Sequence, residues 1–146
     1  MIALFLALVA ADQSVAPPAS IDGLPIAGLP RQSLPAKGCA AYLFSSGKTR
    51  ALVAMASAEA GTLRVAVDGP AADYARGTQT GTAGFGFAST TEYRAGEMVA
   101  TVDLTVKTRN DLTQGAVVEA GTLRIDRTGK DTIILPVAGI IGCAAT

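Results

Sequence analysis

Met98, Ala100, Val102, Leu104 and Val106 alternate with Thr101, Asp103, Thr105 and Lys107, and Val99 is the one apolar residue out of step. Successive side chains of an extended strand point to opposite faces, so this is the pattern of a half-buried antiparallel strand. Wound as a helix, the same residues would scatter apolar groups around the whole circumference. Leu63, Val65 and Val67 alternate with Arg64, Ala66 and Asp68, and Leu123 and Ile125 with Arg124 and Asp126, which predicts further strands. Ser46-Gly47, Asp68-Gly69-Pro70, Asn110-Asp111 and Gly129-Lys130 supply residues that tolerate tight or left-handed backbone between them.

Short strands separated by such turns predict an all-β domain. We expect an antiparallel β-sandwich, Ig-like or a partly closed barrel, of seven or eight strands between Cys39 and Ala144. Its core should include Leu52, Val65, Val67, Val102, Leu104, Val106, Leu123, Ile125 and Ile134. Residues 70–76 read as a single helical turn, with proline at the start and Tyr74 facing in. Residues 132–142 read as a last strand in two pieces, with Pro136 at an edge or a bulge. The hexapeptide Glu-Ala-Gly-Thr-Leu-Arg occurs at 59–64 and again at 119–124, each time downstream of a Lys-Thr-Arg triplet. Two matched blocks in one order suggest a duplicated unit, with Ala-Gly setting up a turn or bulge before each Thr-Leu-Arg strand.

The N-terminal quarter has a different character. Residues 1–11 are apolar throughout, too short to cross a bilayer but of the length of a secretory signal core, although no Lys or Arg precedes them. Residues 12–37 carry Pro17-Pro18 and then Leu-Pro pairs at 24–25, 29–30 and 34–35, which favour extended chain. The segment reads as a tether, its leucines either seated in a partner's groove or packed on the chain's own domain. The expected organisation is therefore a signal peptide at 1–11, a Pro-rich tether at 12–37 and a single β domain at 38–146. The two cysteines, Cys39 and Cys143, bracket that domain and sit in no C-x-x-C pair. In an oxidising compartment they are expected to form one disulfide tying the first strand to the last. Export to the periplasm or cell surface follows as the expected localisation, with no transmembrane span in the mature chain.

Chemistry is harder to find. The chain has no histidine, so Ser-His and Cys-His arrangements are excluded, and a disulfide would consume both thiols. Ser45-Ser46-Gly47-Lys48 matches Ser-x-x-Lys, but without its two companion motifs it reads as a hairpin turn. Asp126 with Asp131, and Asp68 with Asp73, flank turns where a cation could sit, but cations beside the first pair oppose that, and solvated turn charges explain both. No catalytic residue, metal site or cofactor is expected. Lys plus Arg and Asp plus Glu number 12 each, which gives no basic field for nucleic acid.

Residues 77–87 form the most unusual stretch, with Phe85 and Phe87 set among Gly77, Gly81, Gly84 and Gly86. On a strand both phenylalanines would face the core, leaving bare backbone on the other side for a partner. Gly84, Phe85, Gly86 and Phe87, with Tyr93 as neighbour, are the candidate recognition strip. An exported, Ala/Gly/Thr/Val-rich β domain with one disulfide loosely resembles fimbrial subunits, whose cysteines usually lie much closer together than Cys39 and Cys143.

Two functional classes follow. The first is a non-catalytic envelope protein that binds an envelope partner or itself. The second is a small-ligand carrier or a carboxylate-only enzyme of the periplasm. A sizeable cavity lined by Asp or Arg would favour the second, and a long unpaired edge or an exposed apolar groove the first.

Overall fold

A computed structural model describes residues 15–145. The expected signal peptide, 1–11, and the first residues of the expected tether lie outside the described residues. Among the described residues nine strands are formed: β1 (Ile26–Ala27), β2 (Cys39–Ser45), β3 (Leu52–Ser57), β4 (Thr62–Val67), β5 (Ala72–Thr80), β6 (Thr90–Ala95), β7 (Met98–Lys107), β8 (Gly115–Asp126) and β9 (Ile133–Cys143). From β2 onward each strand pairs antiparallel with the next, and β9 returns to pair with β2. The result is a closed, eight-stranded, up-and-down barrel with one extra strand. The all-β antiparallel expectation holds, and the ring of strands closes on itself, although β3 and β4 pair along only part of their length. The closing seam runs from Cys39↔Cys143 to Ser45↔Val137, and its first rung is the Cys39–Cys143 disulfide.

The alternation explains the interior. Ala41 and Leu43, Leu63, Val65 and Val67, Tyr74, Tyr93, Ala100, Val102 and Leu104, Leu123 and Ile125, and Ile133, Leu135 and Val137 are all buried in one core. A barrel of eight strands is just wide enough for its inward side chains to fill. Gly139 sits on the seam where a Cβ would overlap the Tyr42 carbonyl oxygen, so only glycine allows β9 to approach β2 there.

Several expectations need correction. Residues 70–76 are not a helical turn: positive φ at Asp68 and Gly69 ends β4, and β5 begins at Ala72 with Tyr74 alone buried. The other β5 residues are exposed, so that strand carries no alternation to read. Ile134 is 60% exposed, while its neighbours Ile133 and Leu135 point inward. An unbroken apolar run carries no phase, and the β8 register decides which residues face in. Nor is β9 split at Pro136. The Pro136 carbonyl accepts from the Ser46 N–H, so its imide nitrogen, on the same side of the strand, faces the point where β2 ends and no ladder bond is lost. Val106 is half-buried against the interior, and Leu52 faces outward into a second, smaller cluster.

That outer cluster is covered by residues 15–37, which run as a strap over the barrel. β3 and β4 pair directly only from Met55↔Arg64 to Ser57↔Thr62. Val53 is an extra residue in β3 against β2, and such a bulge bends its strand away from its neighbour. The strap occupies the opening. Ile26 and Ala27 pair with Val67 and Ala66 of β4, and the Leu29 N–H donates to the Leu52 carbonyl of β3. Upstream, Ile21-Asp22-Gly23-Leu24 makes a tight hairpin turn with positive φ at both central residues, the Asp-Gly signature of a two-residue turn. Ile21 and Ile26 flank it, fully buried in the barrel core. On the outside, Leu29 packs on Ala40, Tyr42, Met55 and Ala66.

The repeated hexapeptide takes two shapes. At 59–64 it makes the β3–β4 turn, with Gly61 at positive φ. At 119–124 it lies within β8 and forms a bulge, the register jumping from Val118 to Gly121 against β9. Leu63 and Leu123 are buried in both copies.

Candidate functional site

Residues 84–87 form a tight turn rather than a strand. The Gly84 and Phe87 backbones bond to each other in both directions, and Phe85 and Gly86 take positive φ. Phe87 and Tyr93 are buried in the barrel core, Phe85 is half-buried against it, and only Gly86 of the five candidate residues is exposed. The glycines let the β5–β6 loop fold back and seat Phe87 at the disulfide end of the barrel. The five residues are not presented together on a surface.

Three of the four turn carboxylates, Asp68, Asp73 and Asp126, are held by cations, and Asp131 contributes only its backbone carbonyl. Asp68 accepts from both Arg127 Nη1, at 2.8 Å, and Lys130 Nζ, at 3.4 Å. Arg127, its side chain only 9% exposed, also donates to the Asp131 carbonyl, tying the β4–β5 turn to the β8–β9 turn. Asp73 pairs with Arg64, and Asp126 with Arg124 and the Thr132 hydroxyl. Asp22 accepts from the Thr49 N–H at 2.7 Å, fixing the strap's hairpin to the β2–β3 turn. Among the described residues no three Cys, Asp or Glu side chains are grouped to hold a metal ion.

These contacts hold three carboxyls below their usual value of 3.8: Asp22 chiefly through the Thr49 backbone, Asp68 chiefly through Arg127, and Asp126 chiefly through Arg124. The unfolded chain therefore takes up these protons first as pH falls. Their stabilisation is fully present at neutral pH and is lost progressively below about pH 4. Thermal midpoints measured from neutral pH downward should be flat to about pH 5 and then fall, with a shallower fall in Asp68→Asn. An unchanged acid limb in that variant would show that Asp68 contributes nothing to it.

The opposite character appears on the outside of the β2–β9 seam. Ala40, Tyr42 and Phe44 of β2 lie directly across from Gly142, Ile140 and Ala138 of β9, and all six point outward. None is charged. Phe44 and Ile140 are 43% and 53% exposed, and Ile134 continues the apolar face along β9. The strap forms a wall beside this face. Leu29, Arg31, Gln32 and Leu34 on the strap, with Tyr42, Phe44, Leu52 and Ile140 on the barrel, line a groove of about 530 Å³.

The groove's polar groups are largely spent on its own wall. The Tyr42 hydroxyl donates to the Ser33 carbonyl, Gln32 accepts from Arg64 Nη1, and the Gln32 amide donates to the Pro30 carbonyl. Burial pushes the Tyr42 phenol up from its ordinary value, so it stays a neutral donor. Arg31 makes no ion pair among the described residues.

Sequence reading did not find this site. Its signals were a tract from 23 to 58 with no carboxylate side chain and a last strand apolar on both faces, which a one-sided strand does not need. Among the described residues no helix is long and apolar enough to cross a membrane. Set against models of known protein families, curated proteins and solved structures, the chain has no match.

Proposed function

We propose that this chain is a non-catalytic, exported module that binds a partner through the outer β2–β9 face. The observation that carries the reading is the exposed apolar groove between the strap and Phe44 and Ile140. Exposed apolar surface is costly for a soluble domain to keep, and a contiguous, concave patch of it marks an interaction site. The barrel interior is occupied by its own side chains, which favours surface recognition over carriage inside the barrel. The disulfide and the apolar residues 1–11 support export, since such bonds persist in oxidising compartments.

The test is the native mass of the protein extracted gently and without reductant from its own cells. A species larger than the monomer is expected, and Phe44→Asp/Ile140→Asp should abolish it without lowering the thermal midpoint. A monomer in both proteins, or a complex indifferent to the double substitution, would overturn the reading.

A further inference from the structure

The polar side chains of the strap wall are engaged, but its main chain is not. Between Pro30 and Pro35, the backbone N–H groups of Arg31, Gln32, Ser33 and Leu34 have no partner among the described residues. Nor have the carbonyls of Arg31, Gln32 and Leu34, while that of Ser33 accepts from the Tyr42 hydroxyl. Arg31, Ser33 and Leu34 are exposed and Gln32 is half-buried, and all but Ser33 line the groove. The wall therefore offers a short run of open backbone beside an apolar floor. That run is held in place. Tyr42 and Arg64 fasten Ser33 and Gln32 to the barrel, and each proline restricts the residue before it, Leu29 or Leu34, to extended backbone. A pairing partner meets chain that is already ordered, which lowers the entropy cost of pairing. Proline has no N–H to donate, so the run ends at 30 and 35 and admits only a short segment.

An occupant that fits must use both the open backbone and the floor made by Phe44 and Ile140. A hydrocarbon chain uses the floor alone. An extended peptide uses both, because its main chain bonds to an edge while alternate side chains enter the groove beside it. Charge narrows the class further. Arg31 is the one charged residue lining the groove, it is in no ion pair among the described residues, and no carboxylate faces it from the lining. The complementary partner brings a carboxylate to it. Resting on the partner-binding reading above, we infer that the occupant is a short extended peptide segment that adds as a strand to residues 31–34. It is apolar at alternate positions, which sit on Phe44 and Ile140, and it carries one acidic side chain that meets Arg31.

The test is selection of displayed random heptapeptides on the full chain, followed by synthesis of the selected sequences with both ends capped. They are expected to alternate apolar residues and to contain Asp or Glu, and Phe44→Asp/Ile140→Asp should lose them. Successive amides of a strand face opposite ways, so N-methylation should weaken binding roughly tenfold at alternate peptide positions and be tolerated between them. Gln32→Pro and Ser33→Pro each delete one open N–H, and for the same reason one of the two should bind roughly tenfold more weakly than the other. Arg31→Gln should bind the acidic peptides about threefold more weakly and their amide counterparts equally well. The peptide modifications leave the protein untouched, so they report pairing even where a proline variant loosens the strap. Selected peptides that bind Phe44→Asp/Ile140→Asp fully, tolerate every N-methylation, or lose nothing in Arg31→Gln would overturn the inference. If no peptide is selected but the native complex is still lost in Phe44→Asp/Ile140→Asp, the occupant is a folded surface, a second copy or a lipid. The peptide inference then fails and the module reading stands.

Discussion

Ile26→Asp is expected to open the barrel between β3 and β4 and to lower the thermal midpoint by roughly 10 °C or more. Ile26 is fully buried in the barrel core and is one of two strap residues paired with β4. The substitution removes the burial of a large aliphatic side chain, worth about 1.5–3 kcal/mol. It also forces a carboxyl into a site where neither water nor a cation meets it, which adds several kcal/mol or drives the strap out. A domain stable by about 5–15 kcal/mol does not absorb that lightly. Released strap would expose Arg31 and Lys37 to trypsin in a folded barrel, so limited proteolysis beside the melt separates local from global opening. Ile26→Val, which keeps the site apolar, should cost about 1 kcal/mol. An Ile26→Asp protein with an unchanged midpoint and unchanged proteolysis would mean that the strap is not part of the folded unit.

Cys39→Ser/Cys143→Ser is expected to cost about 4–5 kcal/mol, on the model in which a cross-link restricts the unfolded chain. The bond spans 104 residues, close to the whole barrel, so the unfolded ensemble it restricts is large. For a chain of this size the loss corresponds to a fall in midpoint of roughly 10–20 °C. The seam keeps its other rungs from Ala40↔Gly142 to Ser45↔Val137, so the barrel should still fold, with hydrogen exchange quickening first at the cysteine end of β2 and β9. Alkylation of the unreduced protein should label neither cysteine. A double variant as stable as the parent would show that the first and last strands hold the seam without the bond.

Strand identity was legible wherever one face is wet and the other dry. The alternation at β7, in β4 and in the second half of β8 follows from the pleat alone, and the turns between strands announced themselves through glycine, proline, Asn and Asp. The pairing of Cys39 with Cys143 needed only a count of two. Where that contrast is missing, local reading failed. β5 is wet on both faces after Tyr74 and passed for a turn, and β9 is apolar on both faces and concealed its own phase. The Asp22-Gly23 hairpin was hidden among Leu-Pro pairs that pointed to a plain extended segment. One hexapeptide makes a hairpin turn at 59–64 and a bulge at 119–124, because the strands beside it, not its own residues, decide which register closes.

Tertiary contact decided everything that joins distant parts of the chain. Closure depends on β9 meeting β2 along a seam narrow enough to need glycine at 139, and no window of sequence contains both strands. The strap enters the fold only because β3 bends away from β4 at Val53 and leaves backbone groups that Ile26, Ala27 and Leu29 can satisfy. The groove is a consequence of both events, since it exists only where the strap lies beside the closed seam. Side-chain period is a property of neighbours along the chain. Closure and grooves are properties of neighbours across it, and they take their energy from apolar surface that becomes contiguous only after the barrel has formed.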